Sequence, residues 1–223
     1  MPAPLTLTPG AFCRTEDVKS ALENADYSAA INDTLILYIN YFSKMAEGGA
    51  FCDRDFVKQE RTEYFDGVTL ARDPFVIRRI LVRAPPIDPD AYLALFDDPG
   101  KLYTDGSGGT PNTLLELWNH YHVDYRAGVI SLTAYVSFWA DYHNIKLIYT
   151  GGLIQDINSD AALVPDDLRA ACAVQCAHWF RISNDPGAVQ ISSLGGGQVT
   201  MFSPTQILPA VKTVLQQYRR FQF

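Results

Sequence analysis

Residues 121–132, Tyr-His-Val-Asp-Tyr-Arg-Ala-Gly-Val-Ile-Ser-Leu, decide the fold class. Tyr121, Val123 and Tyr125 alternate with His122 and Asp124, the two-residue period of a half-buried strand. Ala127-Gly128 offers a reversal, and Val129-Ile130-Ser131-Leu132 resumes an apolar run, so the stretch predicts strand, turn, strand. Working outward, Ala134–Trp139 and Ile145–Tyr149 are further strand candidates, closed by Thr150-Gly151-Gly152. Upstream, Phe75–Val82 reads as a strand ended by Pro85-Pro86, and Asp66-Gly67 within Glu63–Val68 signals a tight turn. Asp97–Pro111, rich in Asp, Gly, Ser and Pro, predicts an exposed loop.

Beyond this middle the period changes. Thr15 is a candidate N-cap before Glu16 and Asp17, whose charge suits a helix N-terminus, and Val18, Ala21, Leu22 and Ala25 follow at helical spacing. Ile31, Leu35, Tyr38, Ile39, Phe42 and Met45 form one apolar stripe that Gly48-Gly49 ends. Near the other end, Pro165-Asp166-Asp167-Leu168 opens a helix running to about Ile182. A loop over 183–203 and a last helix, Thr205–Arg220, complete the chain. The expectation is an α+β protein: a four-helix core, two helices from each end, with an inserted antiparallel β-rich segment. The divisions are 1–52 and 153–223 for the helical pairs and 53–152 for the insertion.

Composition narrows the function. The 223 residues carry 18 Lys+Arg and 25 Asp+Glu, a net charge of −7, with 48% hydrophobic residues. A chain of this mass can bury roughly 70% of its unfolded surface, enough for a sizeable core. The acidic balance argues against a protein that coats nucleic acid, which needs clustered Lys/Arg. No apolar run reaches the roughly 18 residues of a membrane span, and Met1-Pro2-Ala3-Pro4 lacks the basic start of a secretory signal. Cys13, Cys52, Cys172 and Cys176 are therefore expected as reduced thiols. Cys172 and Cys176 share a helix face, but His178 falls about 160° around the wheel from Cys176, the wrong side for a third metal ligand. Packed, buried cysteines are the simpler reading.

Other constellations are weak. Gly106-Ser107-Gly108-Gly109 and Gly195-Gly196-Gly197 lack the Lys-Ser/Thr of a phosphate loop. His120, His122 and Asp124 would share one strand face and could take zinc or nickel, or simply form a solvated outer face. Asp141 and His143 come without a nucleophile elbow. Neither a catalytic set nor a cofactor is expected. The basic-aromatic end, Tyr218-Arg219-Arg220-Phe221-Gln222-Phe223, has two readings. It is a binding segment of hot-spot residue types, or a frayed helix end whose Arg side chains complement the dipole.

The order of these segments resembles the head–tail connector (adaptor) proteins of long-tailed bacteriophages and gene-transfer particles. The resemblance is carried by Thr15–Leu22, Ile31–Met45, Glu63–Gly67, Val76–Val82, Asp124–Ile130, Leu147–Gly152, Val164–Ala171 and Leu208–Arg220. Segment 53–150 and loop 183–203 depart from the smaller, helical members. What the resemblance implies is a non-enzymatic virion protein at the head–tail junction, made in the host cytoplasm. Its partners would be the portal protein and the next neck or tail-terminator protein. It would form a homo-oligomeric ring, commonly of twelve copies, through which double-stranded DNA passes without sequence-specific binding. An acidic bore would repel the DNA phosphates. Tyr218, Arg219, Arg220, Phe221 and Phe223 would grip the portal, and loop 97–111 or loop 183–203, both long for a compact domain, would contact a ring neighbour or the next neck ring. The competing expectations are another neck or tail-completion protein, or a metal- or small-ligand-binding module.

Overall fold

The computed structural model describes residues 5–22, 29–66, 79–97, 113–114, 117, 121–132, 145–158, 163–184 and 207–220. They hold four α-helices and seven strands in two antiparallel sheets, the α+β class that the change of period predicts. The chain divides into two compact units: residues 1–54 with 154–223, and residues 55–153.

The first unit is helical. Helix α1 is Thr15–Ala21 and α2 is Ala29–Glu47. Helix α3 is Asp166–Asn184 and α4 is Pro209–Gln217. Thr15 is the first helical residue rather than the cap. Arg14 holds the N-cap position, and its N–H donates to Asp17 Oδ2 at 2.8 Å, so the acid in the first turn supplies the acceptor. In α2 the stripe turns inward at Leu35, Ile39, Phe42 and Ala46, while Leu37 and Tyr41 face solvent. Phe42 meets Phe12 edge-on, with ring centroids 6.0 Å apart. Trp179 of α3 packs against Tyr38, Tyr41 and Phe42.

The last helix is shorter than Thr205–Arg220. It starts at Pro209, whose missing N–H costs nothing at the first helical position, and Leu208 before it is extended at ψ 138°. It ends at Gln217: the Tyr218 and Arg219 N–H groups reach back only three residues, to the Leu215 and Gln216 carbonyls, and the Arg220 N–H bonds outside the helix, as described below. Residues 205 and 206 lie outside the described set.

The second unit carries the sheets. Strands β1 Gln59–Phe65, β7 Ile145–Gly151, β3 Ala94–Asp97 and β4 Thr113–Leu114 form one, in the order β1-β7-β3-β4. Strands β2 Arg79–Leu81, β6 Val129–Leu132 and β5 Tyr121–Asp124 form the other, in the order β2-β6-β5. The hairpin expected over 121–132 is present, with Tyr121 opposite Leu132 and Asp124 opposite Val129. Along β7, Ile145, Leu147 and Tyr149 are buried and the residues between them less so.

Strand β1 carries no hydrophobic alternation: Gln-Glu-Arg-Thr-Glu-Tyr-Phe reads as polar, yet it pairs with β7 from Gln59 opposite Gly151 to Phe65 opposite Ile145. An edge strand tolerates and favours such charge. Asp97, expected to open a loop, is the last residue of β3. Residues 75–78, 98–111, 134–139 and 185–203 of the expected elements lie outside the described set, as does Gly67 of the expected turn, whereas Ser183 and Asn184, expected to open a loop, belong to α3.

Candidate functional site

The basic-aromatic end of the chain is built on α4. Val211 and Leu215 bury one side of this short helix. Its entry is fixed by buried Gln175 of α3, whose Oε1 accepts the Leu208 N–H at 2.8 Å. Its exit is clasped by residues 52–54. The Cys52 thiol donates to the Leu215 carbonyl at 3.3 Å, and the Arg54 guanidinium donates to the Tyr218 carbonyl at 3.3 Å. The Arg220 N–H donates to the Cys52 carbonyl at 2.8 Å, and its guanidinium lies 3.6 Å from Asp53. The Tyr218 hydroxyl donates to the Asp167 carboxylate of α3, 2.6 and 2.8 Å from its two oxygens.

These contacts set the electrostatics. Burial raises the Tyr218 phenol pKa, and its hydrogen bond to Asp167 raises it further. Burial pushes the Cys52 thiol to about 11, against the opposing pull of Arg54 and Arg219. Burial also draws the Arg54 guanidinium down to about 10, which leaves it charged at neutral pH. A buried cation at this position stays tolerable because a carbonyl faces it.

The expected binding run is thus divided. Tyr218 and Arg220 bond within the helical unit, Arg219 is exposed, and Phe221 and Phe223 lie outside the described residues. The frayed-end reading does not hold for 218–220, whose backbone is pinned at both Tyr218 and Arg220. Sequence reasoning missed the clasp itself. Cys52-Asp53-Arg54 follows a helix stop and has no periodic pattern, so only the unusual burial of Arg54 marks it, and burial is not written in one sequence.

The other candidates are dispersed. His122 and Asp124 share the exposed face of β5, and Asp124 Oδ1 accepts the Ala127 N–H at 2.9 Å within the hairpin turn; His120 lies outside the described residues. Among the described residues no group of three or more His, Cys, Asp or Glu side chains is arranged to hold a metal ion. His178 is partly buried, which lowers its pKa, with Arg181 adding to the effect. Asp141, His143 and both glycine-rich segments lie outside the described set. Within the β unit, a shallow cleft of about 330 Å³ lies beside the Lys58–Asp88 ion pair and Tyr125. The same unit buries Tyr149, whose hydroxyl donates to Glu63 and accepts the Ala84 N–H at 3.1 Å.

No described helix is long and apolar enough to cross a membrane. No protein-family model matches the chain, and no curated protein matches it. Among solved structures, a chain of the "Neck of empty GTA particle computed with C6 symmetry" is similar, at 14% identity. The match covers 99% of this chain and 96% of that one, with a TM-score of 0.48. A likeness of that size carries no conclusion about function.

Proposed function

We propose that this chain is a structural subunit of an oligomeric assembly and, more particularly, a head–tail connector of a phage-like particle. On this reading it forms a ring between the portal and the next neck or tail-terminator protein in the virion, with DNA passing through the bore. The reading rests on the sequence resemblance. The observation that best supports it is the clasp on the last helix: residues 52–54 and Asp167 hold Tyr218 and Arg220 and leave Arg219 exposed. A basic-aromatic run whose backbone is already held at Tyr218 and Arg220 suits docking, because less conformational freedom is lost on binding. The net charge of −7 suits a bore that must not retain DNA. Tyr218 and Arg220 act as the anchor of the segment, and Arg219, Phe221 and Phe223 as its contact residues. Segment 98–111 or segment 185–203 is proposed to contact a ring neighbour or the next neck ring.

The clasp dictates the test. Removing 218–223 would take away the Asp167 and Cys52 bonds as well as the extension, so the sharper variant ends at Arg220 and carries Arg219→Ala. It should keep the far-ultraviolet circular dichroism of the full chain yet fail to form rings when mixed with portal protein, by mass photometry and electron microscopy. Unaltered ring formation by this variant defeats the docking role. A full-length chain that stays monomeric beside portal protein defeats the connector reading.

A further inference from the structure

Three of the four cysteines meet inside the helical unit. Cys13 follows Phe12 in the segment that leads into α1, whereas Cys172 and Cys176 lie one turn apart on α3. All three are buried free thiols. The Cys13 and Cys172 sulfurs are 3.2 Å apart, and those of Cys172 and Cys176 are 4.0 Å apart. A disulfide needs sulfurs at about 2.05 Å, so the nearer pair would have to close by roughly 1.2 Å, shared between two side chains. The pair joins residues 159 positions apart. A bond between Cys172 and Cys176, by contrast, would close only one turn of a helix that is already formed.

We propose that Cys13 and Cys172 form a disulfide site, open while the protein folds in a reducing cytoplasm and closed by oxidation afterwards, which locks the N-terminal segment onto α3. When it would act rests on the virion reading, because a particle released from a cell passes from reducing to oxidising surroundings. The oxidant is a low-molecular-weight disulfide such as oxidised glutathione. One protein thiolate attacks it, forming a mixed disulfide and releasing one glutathione thiol. The second protein thiolate then attacks the mixed disulfide and releases the other glutathione. Two protein thiols are oxidised, one glutathione disulfide is reduced to two thiols, and the two protons end on those thiols.

Burial makes the reaction slow in the folded state, and the pKa directions agree. Contact with Cys172 pulls the Cys13 thiol down, but burial, with Cys176 and Asp17, outweighs it and leaves the pKa raised. Burial pushes Cys172 up, and its contacts with Cys13 and Cys176 add to this. Few thiolates form, so exchange has to pass through opening of the segment before α1. That segment is held by the Phe12 N–H to Ser43 Oγ at 3.0 Å and by the Ile157 N–H to the Pro9 carbonyl at 3.2 Å.

The test removes that kinetic barrier. Full-length protein is unfolded in urea and refolded in glutathione buffers of graded redox ratio. Free thiols are then alkylated, and the digest is read by mass spectrometry. The expected product has Cys13 linked to Cys172 and Cys52 and Cys176 alkylated. Its thermal midpoint should lie roughly 5–10 °C above that of the reduced form, and dithiothreitol should reverse the rise. Cys13→Ala and, independently, Cys172→Ala should lose both the link and the rise. Four alkylated thiols at every ratio, or any bond other than Cys13–Cys172, overturns the site. A Cys13–Cys172 bond without a higher midpoint overturns the lock. The thiol assay needs no portal protein, so its outcome is separate from that of the ring experiment.

Discussion

The two units of this chain solve the same problem, holding together segments distant in sequence, by different chemistry. In the β unit the backbone does it: β1 pairs with β7 across 80 to 92 residues, and β3 lies on the other side of β7. In the helical unit the helix interiors satisfy their own N–H and C=O groups, so segments are joined mainly by side chains reaching to backbone atoms, beside single backbone bonds from Ile157 to Pro9 and from Arg220 to Cys52. Asn40 accepts from Thr8 and donates to the Thr6 carbonyl, Ser43 accepts from Phe12, Gln175 accepts from Leu208, and Arg54 donates to the Tyr218 carbonyl. The contrast teaches where each unit is vulnerable. The β unit should break where a side chain intrudes on close backbone, and the helical unit where one long polar side chain is removed.

The largest expected effect tests the first half. Gly152 has φ +121°, and a Cβ there would sit 2.4 Å from the Val57 carbonyl oxygen and 2.6 Å from the Lys58 nitrogen. Both obstacles are backbone, so neither can swing away. Its own N–H donates to the Pro86 carbonyl at 3.1 Å, which fixes it in place. Gly152→Ala should cost about 3 kcal/mol or more, read as a lower urea midpoint. Peptides from 55–153 should lose hydrogen-exchange protection first. Equal loss of protection in 163–184 would mean that the contrast between the units is wrong.

Next in size is Arg54→Met, which keeps the aliphatic stem and removes the donor to Tyr218. Bonds to charged groups contribute about 1.5–3 kcal/mol, and about 2 kcal/mol is expected here. The loss should concentrate in faster amide exchange over 209–220. A variant as stable as the parent, with unchanged exchange there, would show that the clasp contributes nothing.

The same contrast governs what was legible in the sequence. Helices α2 and α3 were, because a 3.6-residue stripe such as Leu35, Ile39, Phe42 records which face is buried. The 121–132 hairpin was, because one of its faces is in and the other out. Strand β1 was not, since an edge strand paired through its backbone can be polar throughout. At the candidate site the run 218–223 stood out by composition, but its clasp did not. In sequence Asp167 marks the opening of α3, and nothing there shows that it also receives the Tyr218 hydroxyl from 51 residues away. The Glu63–Tyr149 pair escaped for the same reason: a bond across 86 residues leaves no mark on local pattern.

Alkaline titration gives the smallest effect and separates the units by pH. In the helical unit the folded-state pKa of Cys52 is raised by burial from 9.0 to about 11. A raised pKa means that the neutral thiol is favoured by folding. Its contribution is whole below pH 9 and drains away as pH climbs through 11, by about 1 kcal/mol at pH 10. In the β unit Tyr149 is raised, first by burial and then by its bond to Glu63, from an ordinary value of 10. Its contribution is whole below pH 10 and is lost only above it. Urea titrations at pH 8, 10 and 11 should therefore show Cys52→Ala flattening the stability profile from pH 9 upward. Tyr149→Phe should leave the change between pH 8 and 10 nearly as it is and flatten only the part between pH 10 and 11. If Tyr149→Phe flattened the profile between pH 8 and 10 as much as Cys52→Ala does, the phenol would titrate where the thiol does, and the division of chemistry between the units would fail.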